Sequence, residues 1–403
     1  MKIKLARIPI ITIVIPLLSC VIFANNLQTL VTGNSDFGFD LYQELKSKEG
    51  NLFFSPYSIS TALAMTYAGA RGQTEKQMAE ALHFSLEQEL VHASFSKLHS
   101  KLNAIQDKGH TKLSIANSLW AQEGYNFLDT FFDLNKNYYG AGLNFVDFAR
   151  QTDTARKIIN TWVEKETQEK IKELIKKGML TPLTTLVLCN AIYFKGDWLR
   201  QFDKERTVDA DFYISLKKTI KVPMMSQKSE FKFKDFGSFT GIELPYEGND
   251  LSMIIFLPKE FDGLAELEGN LTNDNVKNWI DILSNSHESE ILVSLPKFKT
   301  ICEFELSEML SNIGMPSAFS LPPADFSGMT GRKDLFISKV IHKAFVDVNE
   351  EGTEAAAATA VVMERLSISR PLLFRADHPF VLLIREIQTG SILFIGRIVD
   401  PTK

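Results

Sequence analysis

Residues 350–371 read Glu-Glu-Gly-Thr-Glu-Ala-Ala-Ala-Ala-Thr-Ala-Val-Val-Met-Glu-Arg-Leu-Ser-Ile-Ser-Arg-Pro. Two local structures fit this run. As a helix, it carries the best helix-forming residue four times in succession, with Gly352 just before its start. As a strand, it separates its side chains by parity. Thr353, Ala355, Ala357, Thr359, Val361 and Met363 share one face, and all are small or apolar. Glu354 and Glu364, the only charges between 353 and 364, fall on the other. A segment of that kind fits inside a sheet with no charge to bury, which points to a stored conformational change.

The segments on either side show what such a strand would join. Leu186 to Phe194 is an almost unbroken apolar run, the pattern of a central strand covered on both faces. Leu335 to Val348 alternates, and its even positions Val340, Ala344, Val346 and Val348 are apolar, with His342 among them. A histidine on an apolar face needs partners for its ring nitrogens. Asn190 in the first strand and Ser58 at the start of a buried helix are the candidates. A polar cluster between two strands would act as a latch whose opening lets the sheet part.

The N-terminal part of the chain is helical in pattern. Ser35 is a candidate cap for a helix reaching about Lys46, and Ser55-Pro56 opens a buried helix to about Ala70. Thr74 with Gln77 reads as a capping box. Further helical patterns cover Ser85 to Ile105 and Asp153 to Ile175, with a strand between them at Leu113 to Gln122. Beyond Thr185 strands predominate: around Phe231 to Phe233, then Gly241 to Pro245, Leu251 to Leu257 and Ile291 to Phe298. A C-terminal hairpin is expected from Pro379 to Ile387 and Ser391 to Val399. Helices followed by strands, with no linker or repeat, indicate an α+β class and one domain over 25–403.

The composition is that of a folded globular chain: 403 residues, 45% hydrophobic, 11% aromatic and a formal charge of −5. That charge argues against nucleic acid as a partner. Lys2, Lys4 and Arg7 precede an uncharged, mostly apolar stretch from Ile8 to Phe23, which reads as a signal peptide over 1–24 cleaved after Ala24. An alternative is a lipoprotein signal in which Cys20 is lipidated. Cys189 and Cys302 lie in apolar or alternating stretches and are expected as buried free thiols. Asn270-Leu271-Thr272 is the only N-glycosylation acceptor. No nucleophile elbow, phosphate loop, zinc-binding His-Glu-x-x-His or dinucleotide fingerprint is present, so no metal, cofactor or catalytic residue is assigned.

Four stretches then resemble the serpin family. Asn51-Leu-Phe-Phe-Ser-Pro-Tyr-Ser58 is similar to the start of its second helix, and Asn190-Ala-Ile-Tyr-Phe-Lys-Gly-Asp-Trp198 to a strand motif ending in tryptophan. Phe374-Arg-Ala-Asp-His-Pro-Phe380 and Leu393-Phe-Ile-Gly-Arg397 are similar to its C-terminal signature. The resemblance covers residues 30–403 and is nearest the ovalbumin-like, elastase-inhibitor branch, whose typical members lack an export signal.

The resemblance implies three sheets, about nine helices and an exposed reactive-centre loop within 350–371. It implies a single-use inhibitor that a serine protease attacks as a substrate. The cut loop then enters the main sheet and traps the acylated protease covalently. The implied hinge is Glu350, Gly352, Thr353, Glu354, Ala355, Ala356, Ala357, Ala358 and Thr359. Its freedom from inward charge, proline or bulk favours inhibition over a carrier, chaperone or storage role. Lys297 and Glu350 match a family pair at the top of the sheet. Family spacing from Glu350 places the reactive bond at Leu366–Ser367, which suits chymotrypsin-like pockets. Arg365 is the alternative for trypsin-like ones, and Val361 to Met363 would suit elastase-like pockets. Ser85 to Ile105 lacks a basic stripe, which argues against heparin activation; a monomer is expected.

Overall fold

The computed structural model describes residues 14–140, 142–353 and 372–403, with side chains from residue 25 onward. The order of elements is α1 (Val14–Leu45), β1 (Leu52–Phe54), α2 (Pro56–Tyr67), α3 (Gly72–Ala81), α4 (Gln88–Gln106), β2 (Thr111–Gln122), α5 (Asp129–Tyr139), β3 (Leu143–Val146) and α6 (Phe148–Glu166). Then come β4 (Leu186–Asp197), β5 (Val208–Ser215), β6 (Lys218–Asp235), β7 (Phe239–Pro245), β8 (Leu251–Pro258), α7 (Leu264–Gly269), α8 (Asn273–Ser284), β9 (Glu288–Pro296) and β10 (Phe298–Glu305). The chain closes with α9 (Ser307–Ile313), α10 (Ser327–Thr330), β11 (Lys339–Val348), β12 (Gly352–Thr353), β13 (Leu372–Arg375), β14 (Phe380–Glu386) and β15 (Ile392–Ile398).

Six strands form one sheet in the order β10-β11-β12-β4-β2-β3. The other nine are continuous through the long β6, which divides them into two sheets. Its C-terminal end continues into β7, β8, β14, β15 and β1. Its N-terminal end carries β5 on one edge and β9 on the other, with β13 beyond β9. The described residues thus hold ten α-helices and three sheets.

β4 explains its own unbroken apolar run. Leu186, Leu188, Ile192 and Phe194 enter the larger core, shared with α1, α2 and the nine-stranded network. Val187, Cys189, Ala191 and Tyr193 enter a second core on the opposite face, under α6. Parity therefore divides one strand between two cores. Cys189 and Cys302 are buried free thiols, as their settings suggested.

Three helix boundaries differ from the pattern reading, each for a tertiary reason. Ser35 lies inside α1, where its hydroxyl donates to Val31 O at 3.0 Å. Thr74 and Gln77 do not form a box: their oxygens accept from the Asp325 and Ser317 amides, both at 2.9 Å, and α3 begins at Gly72. α6 stops at Glu166, because Gln168 and Glu169 take left-handed φ of 52° and 61°. The apolar residues that continued the helical pattern, Ile171, Leu174 and Ile175, cross the sheet as an irregular strap. Asn160 holds that strap by both the amide (2.8 Å) and the carbonyl (2.9 Å) of Ile175. Ser55 does cap α2, accepting from Ser58 N at 3.1 Å, with Pro56 as the first helical residue.

Candidate functional site

The centre of the six-stranded sheet has two parts. From Lys339 to Phe345, β11 pairs directly and in parallel with Val187 to Tyr193 of β4. Beyond those residues the strands separate and β12 lies between them. Thr353 is opposite Val348 on one side and Gly196 on the other, and Gly352 is opposite Asp197. Gly352 and Thr353 of the expected hinge thus form a two-residue strand between β4 and β11.

Close approach decides which residues this strand tolerates. A Cβ on Gly352 would lie 2.1 Å from Gly196 O and 2.7 Å from Asp197 Cα. One on Gly196 would lie 2.8 Å from Phe194 Cζ and 2.9 Å from Tyr246 Cδ1. The backbone of Gly352 is not left-handed. The residue is needed for contact distance. Thr353 is fully buried, with its hydroxyl 2.9 Å from that of Tyr246. The Tyr246 ring stacks on Trp198 with centroids 4.6 Å apart, and burial pushes its phenol well above the usual range.

The turn leading to β12 is fully tied. Asn349 Oδ1 accepts from Glu351 N at 3.1 Å. Trp198 donates its backbone amide to Glu351 O (2.9 Å) and its indole N–H to Asn349 O (3.0 Å). Phe202 N donates to Glu350 O at 2.8 Å. Glu350 is only 4% exposed, and its carboxylate meets Lys297 Nζ at 2.9 Å and the Thr207 hydroxyl at 2.8 Å. Burial alone would raise its pKa; the Lys297 and Thr207 hydrogen bonds outweigh that and hold it below the usual carboxylate range. Glu351 pairs with Lys204.

Below this opening, where β4 and β11 are in contact, a neutral polar row crosses three strands. Asn117 of β2, Asn190 of β4 and His342 of β11 are register partners. His342 Nδ1–H donates to Asn190 Oδ1, and Nε2 accepts from the Ser55 amide at 3.3 Å. The amide can only donate, so it fixes the tautomer. Asn190 Nδ2 donates to Ser58 Oγ at 2.5 Å and to Asn117 Oδ1. Ser55, Ser58, Asn190 and His342 are all fully buried. Burial lowers the His342 pKa to about 3, so the ring is neutral.

The structure therefore brings Ser58, Asn190 and His342 together at one place, and Glu350, Gly352, Thr353 and Lys297 at another. Glu354, Ala355, Ala356, Ala357, Ala358, Thr359, Arg365, Leu366 and Ser367 lie outside the described residues. Asn117, Ser55, Thr207, Gly196 and Tyr246 join the two clusters without having been anticipated. Asn117 did carry a signal. It occupies the same parity of β2 as Leu113, Ile115, Leu119 and Ala121, a polar residue on an apolar face like His342.

Comparison with known proteins agrees with this arrangement. The family described as Serpin (serine protease inhibitor) matches residues 32–401. A leukocyte elastase inhibitor from Bos taurus is 44% identical over 389 residues, covering 93% of this chain and all of the relative. The crystal structure of uncleaved ovalbumin superposes with a TM-score of 0.84 at 31% identity, covering 93% of this chain and all of that one. Human thyroxine-binding globulin, solved with its hormone, gives 0.85 at 32% identity over 94% of this chain and all of its own. The chain belongs to the serpin family.

Proposed function

We propose that this protein is a secreted, single-use inhibitor of chymotrypsin- or elastase-like serine proteases. The observation that carries the reading is β12, a short strand seated between β4 and β11 at the head of the segment that would follow it. The name of the bovine relative supports an elastase-type target.

In this mechanism the protease serine Oγ attacks the Leu366 carbonyl carbon and forms an ester. The Leu366–Ser367 C–N bond breaks, and the new amine of Ser367 leaves with a proton delivered by the protease's own general acid. Residues from Glu354 onward then extend β12 between β4 and β11. About ten residues of strand span about 35 Å, which carries the acylated protease along the sheet. The Ser58, Asn190 and His342 latch lies across that path and parts as the strand passes. Arg365 is the alternative attacked residue, for a trypsin-like enzyme. Residues 1–24 direct export, with lipidation at Cys20 as the bacterial alternative.

The test is incubation with chymotrypsin, elastase and trypsin followed by denaturing electrophoresis. Inhibition predicts a detergent-stable complex and a released C-terminal peptide beginning at Ser367. Cleavage without complex for all three would favour a non-inhibitory carrier, a reading that similarity to thyroxine-binding globulin supports.

A further inference from the structure

We propose that Asn270 carries an N-linked glycan in the exported protein, an inference that rests on the export reading. No other asparagine is followed two positions later by serine or threonine, and neither residue 271 nor residue 273 is proline. The triplet occupies the turn between α7 and α8, with Asn270 just after α7 and Thr272 capping α8.

The turn presents its acceptor and keeps its anchor inside. Asn270 and Thr272 are exposed, whereas Leu271 between them is fully buried. Gln43 of α1 holds the turn from below, donating to the carbonyls of Glu268 and Leu271, both at 3.0 Å. Glu268 is itself pinned by Arg397 and Tyr42, each at 2.7 Å. The Asn270 amide donates one hydrogen to Glu266 O at 2.8 Å. Its second Nδ2 hydrogen is the one glycosylation replaces, so this bond survives attachment.

In the transfer, Nδ2 of Asn270 bonds to the anomeric carbon of an N-acetylglucosamine. The donor is a lipid-pyrophosphate-linked oligosaccharide; its anomeric C–O bond breaks, the lipid pyrophosphate leaves, and one amide proton passes to base. The glycan projects away from the inhibitory machinery. α7 packs on β8 and β14, and α8 on β6 and β7, whereas the hinge enters between β4 and β11 of the other sheet. Attachment at Asn270 therefore leaves the strand path open.

The test is secretion of the full chain from cultured insect cells, with its own residues 1–24 and, in parallel, with a leader known to be cleaved. The secreted protein is treated with peptide N-glycosidase in heavy-oxygen water and its tryptic peptides are weighed. The expected result is one discrete mass step removed by the enzyme, heavy oxygen incorporated at residue 270, and no step in Asn270→Gln. Inhibition stoichiometry should be the same with and without the glycan. Secreted protein with unmodified Asn270 under both leaders overturns the proposal and leaves export standing. Failure of export with the native leader, together with a modified Asn270 under the foreign one, overturns the export reading and supports the acceptor site.

Discussion

The open and the paired parts of the seam between β4 and β11 are held by different chemistry. At the open end, Glu350 and Glu351 are each tied to a lysine that remains substantially in water, with side-chain exposures of 38% for Lys297 and 61% for Lys204. Midway along the paired part, Asn190, His342, Ser55 and Ser58 are fully buried and uncharged. Solvent-screened ion pairs contribute little and yield easily. A desolvated hydrogen-bond network is costly to leave half-made. Under the proposed mechanism, such a sheet would admit the first residues of the loop at small cost and resist the remainder until cleavage supplies a strand.

The largest effect is expected at Thr353. Arginine there would place a guanidinium in a fully buried position beside Tyr246, at a cost of several kcal/mol without a partner. Thr353→Arg should be cut by proteases as a substrate, with the complex band lost and inhibition stoichiometry raised many-fold. An unchanged stoichiometry would break the parity argument.

Next is Asn190→Ala in the paired part. It strands the His342 Nδ1 donor and removes both bonds from Asn190 Nδ2, at about 3 kcal/mol in total. The thermal midpoint should fall by several degrees. A change within the error of the measurement would remove the latch from the account.

Acid sharpens the same contrast. The unfolded chain protonates His342 near its ordinary value of 6.5, whereas the folded chain does so only near about 3. Between those values the unfolded state binds the additional proton, so the stability present above 6.5 is lost as pH falls, by about 1.4 kcal/mol per pH unit. His342→Gln should flatten the pH dependence of unfolding by that slope. Equal slopes in the two proteins would mean that the imidazole is not buried neutral.

The smallest effect belongs to Lys297→Ala. Loss of a half-exposed partner from Glu350 should cost about 1 kcal/mol, measured by thermal unfolding, and should weaken further with added salt in the parent. A cost comparable to that of Asn190→Ala would erase the difference between the open and the paired parts.

Much of this was legible in the chain. β4 showed itself by its unbroken apolar run, because burial on both faces removes alternation. The latch was legible because a histidine among apolar residues of one parity must find partners. Asn117 carried the same signal in β2. The helix starts misread at Ser35 and Thr74 failed because their hydroxyls serve other partners, a choice made by tertiary contact. Ile171, Leu174 and Ile175 kept a helical period in an irregular strap, since a core selects apolar residues whatever backbone supplies them. The contact that requires Gly352 was not legible, because the carbonyl of Gly196 that excludes a side chain comes from a strand 156 positions away.

The central claim is that the segment after Thr353 becomes a strand between β4 and β11 once the loop is cut. The most direct measurement compares the thermal unfolding midpoint of the intact protein with that of protein nicked within residues 361–368, for the parent and Thr353→Arg. The account predicts a marked rise on nicking in the parent and a much smaller one in the variant. An equal midpoint before and after nicking in the parent would contradict it.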